Sequence, residues 1–61
     1  MNESIQLHLF DNCHLQWGPF DGRVIPVPSP APNRLLLEHN GHSVAYDRIG
    51  HSNQFEFDPH A

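Results

Sequence analysis

Proline, glycine and paired Asn or Asp residues interrupt this chain every few positions, and that punctuation constrains its fold more than any other feature. Six prolines and four glycines fall within 61 residues. Proline removes a backbone donor and clashes with the preceding helical turn, while glycine raises the entropy lost on ordering. No segment therefore has room for three helical turns. Between the breaks the residues alternate apolar and polar or form short apolar runs, which is the period-two signature of strands. The expectation is one all-β domain over residues 1–61, a small antiparallel meander or partly open barrel of about five short strands.

The surest element is a hairpin around Asn40-Gly41. A two-residue type I′ turn needs positive φ at both central positions, and Asn-Gly meets that need at low steric cost. Register then follows by counting outward. His39 faces His42, Glu38 faces Ser43, Leu37 faces Val44, Leu36 faces Ala45, Leu35 faces Tyr46 and Arg34 faces Asp47. Leu35, Leu37, Val44 and Tyr46 share one face, which must be core. Arg34 and Asp47 make a cross-strand charge pair at the open end.

A second turn is expected at Gly18-Pro19-Phe20-Asp21-Gly22, where proline presets φ and Asp-Gly admits a left-handed residue. Cys13-His14-Leu15-Gln16-Trp17 leads in, Arg23-Val24-Ile25-Pro26-Val27 leads out, and the two should pair, with Pro26 marking a sheet edge. Ile5, Leu7 and Leu9 alternate as a half-buried strand that breaks at Asp11-Asn12. Phe55 and Phe57 alternate in a short last strand, where Glu56 and Asp58 read as a solvated edge. Pro26-Val27-Pro28-Ser29-Pro30-Ala31-Pro32 should be a stiff, extended, polyproline-like connector.

The turn at residues 18–22, the Val27-Pro28 strand end and the central Tyr46 together resemble a loose group of small phage, prophage and bacterial proteins. In that group a Gly-Gly-Pro-x-Asp-Gly turn precedes an apolar strand ending in Val-Pro and a hairpin with a central Tyr. Trp17 departs from the pattern where a second glycine is usual. The resemblance spans roughly residues 15–49. It implies a phage-related accessory or host-interaction role and carries over no functional residue.

Three arginines, no lysine and seven acidic residues give a formal charge of −4. Nucleic-acid binding needs clustered cations that displace phosphate counterions, and three scattered arginines make no such patch. No stretch nears the roughly 20 apolar residues of a membrane helix, and residues 1–10 lack the basic start and apolar core of a signal peptide. Cys13 is the lone cysteine, so no internal disulfide forms. A cytoplasmic protein with neither nucleic-acid nor membrane partners is expected.

A chain this short has little net stability and commonly relies on a metal or a partner subunit. Six histidines raise metal binding as an alternative. His39 and His42 would face each other across the hairpin, with Cys13 or His51 completing a zinc site; His14 is a further candidate, although Cys13 and His14 point to opposite faces. This is the alternative to a chain without cofactors. Catalysis is not expected. Asp11, Cys13 and His14 cannot align as acid, nucleophile and base so close in sequence, and so short a chain hardly encloses a substrate pocket. The leading expectation is a non-catalytic protein-interaction module that self-associates, as a homodimer, or docks on a larger protein. Its anchors would be Trp17 and Phe20 beside the turn, and Phe10, which alternation places opposite Ile5, Leu7 and Leu9.

Overall fold

The computed structural model describes residues 9–61; the alternation expected at Ile5 and Leu7 lies outside them. The fold is all-β. Five strands form one curled sheet, an open half-barrel: β1 (Phe10–Gln16), β2 (Val24–Pro28), β3 (Arg34–His39), β4 (His42–Arg48) and β5 (Gln54–Asp58). A 3-10 turn, Gly18–Phe20, joins β1 to β2. Among the described residues no helix is long and apolar enough to cross a membrane.

The β3–β4 hairpin forms in the expected register, from His39 opposite His42 to Arg34 opposite Asp47. Asn40 and Gly41 both take positive φ, 52° and 81°, as a type I′ turn requires. Strands β1 and β2 also pair, with Cys13 opposite Ile25 and His14 opposite Val24.

The strand order is β2-β1-β5-β4-β3. The sheet is not a pure antiparallel meander, because β1 and β5 pair in parallel through Leu15 and Phe55. Consequently β5 lies between β1 and β4, and Glu56 and Asp58 do not form a solvated edge. Asp58 instead accepts a 2.6 Å hydrogen bond from Arg34. The break expected at Asp11-Asn12 is absent too. Strand β1 runs through both residues, and the Asp11 carboxylate accepts the Ala31 N–H at 2.9 Å, tying the connector to the strand. That connector is not one extended rod. Its first part belongs to β2 and its second bends at a cis Ser29-Pro30 peptide.

Cys13, Leu15, Ala31, Leu35, Tyr46 and Phe55 are buried on the concave face, flanked by Phe20, Ile25, Val27, Leu37, Val44 and Phe57. Arg48 closes one end of this core. Its guanidinium lies 4.9 Å from the Phe55 ring centroid and donates to the carbonyls of Ala31 (2.6 Å) and Ser52 (2.7 Å) and to Asn33 Oδ1 (3.1 Å). A planar fork with five donors suits such a corner where an ammonium would not. On the convex face Arg34 grips Asp47 with two bonds, 2.7 and 3.1 Å, in addition to Asp58.

Candidate functional site

The turn after β1 is assembled from three side chains that lie far apart in sequence. Tyr46 is fully buried, yet its hydroxyl makes two hydrogen bonds at the turn. It donates to the Trp17 carbonyl at 2.6 Å and accepts the Phe20 N–H at 2.9 Å. The Asp21 carboxylate accepts the Trp17 N–H at 2.5 Å. Gly18, at φ +67°, sits on the Phe57 ring so closely that a Cβ there would lie 2.7 Å from Cδ1. Both backbone polar groups of Trp17 are thus held, and the chain beyond it is pressed onto the core.

Within that clamp Trp17 has φ 69° and ψ 172°. This conformation belongs almost entirely to glycine and costs a residue with a Cβ on the order of 1–3 kcal/mol. The indole recovers little of that by burial, since Trp17 is 66% exposed. The residue is a large aromatic on a glycine backbone, projecting into solvent from a fixed turn.

The other expected anchors lie elsewhere. Phe20 is half-buried, its ring 5.5 Å from that of His39 and 6.3 Å from that of Tyr46. Phe10 is 55% exposed but begins β1, whereas Trp17 follows its last residue. Seven residues of strand span about 23 Å. Trp17 and Phe10 therefore belong to separate surfaces.

Of the five residues considered as zinc ligands, only His39 and His42 face each other across paired strands. His51 follows the far end of β4, about 20 Å from His42 at the strand rise. Cys13 lies at that far end as well: the next residue, His14, hydrogen-bonds to the Asn53 carbonyl at 2.8 Å. Cys13 is fully buried, and burial pushes its thiol up, against a smaller opposing effect of Arg48. The neutral thiol is favoured over the thiolate that binds metal. His14 is exposed on the convex face. Among the described residues no group of three or more metal-ligating side chains comes together, and no pocket is enclosed.

Sequence reasoning did not single out Leu36. It is 69% exposed, as open as Trp17, at the middle of edge strand β3. The signal was available, since the hairpin register puts Leu36 on the face opposite the core. Comparison of the chain with family models, curated proteins and solved structures finds no match.

Proposed function

We propose that this chain is a small, non-catalytic protein-interaction module that docks on a larger protein by inserting the Trp17 indole into an apolar pocket of its partner. The observation that carries the reading is the pairing of backbone strain with exposure at one residue. Glycine would occupy the Trp17 backbone more cheaply, and the exposed indole gives the fold little in return. Strained positions of this kind concentrate at functional sites, and tryptophan is among the residues enriched at the energetic centres of protein interfaces. The turn's resemblance to that of small phage and prophage proteins supports an accessory role, with the cytoplasm as its setting.

Trp17→Gly should raise the melting temperature, because the strain is relieved and little buried surface is lost, while association with the partner is lost. The test pairs a thermal melt with affinity capture by the wild type and by Trp17→Gly. Each captured protein is then purified and titrated against both forms. A variant that melts higher and loses binding at least tenfold supports the reading. A variant that melts lower, or keeps its binding, overturns it.

A further inference from the structure

The two edges of the sheet are built differently. In the β1–β2 ladder, hydrogen bonds from Leu15 N–H to the Arg23 carbonyl and from Ser29 N–H to the Leu9 carbonyl, both within 3.0 Å, fix which residues face β1. Alternation then turns the backbones of Val24, Pro26 and Pro28 outward. Two of those three have no N–H, so the β2 edge is closed to another strand.

The β3 edge has no such protection. The His39–His42 pair closes the turn, and a 2.7 Å bond from Arg48 N–H to the Asn33 carbonyl continues the same alternation. Leu35 and Leu37 therefore face β4, while the N–H and C=O groups of Arg34, Leu36 and Glu38 face outward. Among the described residues no backbone hydrogen bond reaches these groups. The side chains of all three are exposed.

We infer that β3 pairs antiparallel with β3 of a second copy of the chain, about a two-fold axis at Leu36. In that register Leu36 meets the other copy's Leu36, and Arg34 meets the other copy's Glu38 at both ends. The facing pairs are the same three residues whose backbone groups are free, so each pair exchanges both of its hydrogen bonds. Opposite charges directly across the strands favour the register. Arg34 remains able to take part, because Asp47 and Asp58 engage its Nε and Nη2 and leave Nη1. On the concave side Leu35 meets Leu37 of the other copy, joining the two cores. The contact is isologous and closed, so it stops at a dimer. It goes beyond docking through Trp17 and does not depend on it.

The test is molar mass by sedimentation equilibrium on the full chain, from about 1 µM to about 1 mM. The mass should rise from 7.0 kDa to twice that value. Leu36→Lys and Glu38→Arg should each raise the concentration needed at least tenfold, while Val24→Lys on the other edge leaves it unchanged. Glu38→Arg puts two arginines opposite each other, and Arg34→Glu puts two glutamates there, so each alone should dimerise at least tenfold more weakly than the wild type. Their mixture restores both charge pairs and should form a heterodimer. Circular dichroism checks that each variant is folded; if Arg34→Glu is not, Leu36→Lys and Glu38→Arg still decide. A monomeric wild type over the whole range would overturn the inference. So would a dimer indifferent to both Leu36→Lys and Glu38→Arg, or a folded charge-swapped pair that fails to associate when mixed.

Discussion

Tyr46 does more for this fold than its apolar ring suggests. A buried phenol that serves one N–H and one carbonyl of the same turn leaves two groups unsatisfied when its oxygen is removed. Tyr46→Phe should therefore cost about 1–3 kcal/mol. In a domain this small, each 1 kcal/mol lowers the melting temperature by roughly 4–8 °C. The melt should fall with Tyr46→Phe and rise with Trp17→Gly. A Tyr46→Phe variant that melts with the wild type would show that water replaces the hydroxyl. The sequence placed Tyr46 on the core face but was silent on its hydroxyl, whose partners are 26 and 29 residues away. Arg48 was equally hidden. As one of three scattered cations it carried no local sign of the carbonyls it gathers, and only the chain's return through residues 31–33 and 52–53 supplies them. Arg48→Lys should destabilise by about 1–3 kcal/mol, since one ammonium cannot reach three separate acceptors while covering Phe55.

At the level of elements, local chemistry was legible and long-range pairing was not. Asn40-Gly41 fixes its own register, and Pro26 marks an edge whatever the rest of the chain does. The β1–β5 pairing joins strands about 40 residues apart in parallel, and no turn signal announces such a contact. Nor could the sequence tell that Asp11 would hold the connector instead of ending a strand. The hairpin's charge pair has a testable signature. Hydrogen bonding from Arg34, reinforced by its charge, holds the Asp47 carboxyl below the usual carboxylate range. A carboxyl with a depressed folded-state pKa adds stability above its unfolded pKa of about 3.9 and loses it as pH falls through the lower folded value. Melting temperature should therefore drop more steeply for the wild type than for Asp47→Asn between about pH 5 and about pH 2. Both residues are exposed, so the gap should be small and should narrow in high salt. Parallel curves at low salt would show that the pair adds nothing to stability.

On the scale of the whole molecule, the sheet is a half-barrel whose two edges have opposite character. One is closed by prolines, and the other presents three consecutive outward backbone positions with self-complementary side chains. The residues of the metal site considered for this chain are divided at the same scale: His39 and His42 sit at one end of β4, Cys13 and His51 at the other. The length of β4 alone sets His51 apart from His42, but spacing along the sequence could not reveal where Cys13 lies, because that depends on which strand lies beside β5. The state of the β3 edge can be read amide by amide through hydrogen exchange at low and high protein concentration. Leu35 and Leu37, bonded to β4, should be protected throughout. Arg34, Leu36 and Glu38 should exchange freely in dilute solution and become protected together as concentration rises towards about 1 mM. Protection of those three amides that is independent of concentration, or free exchange at every concentration, would contradict an open edge that closes on a second copy.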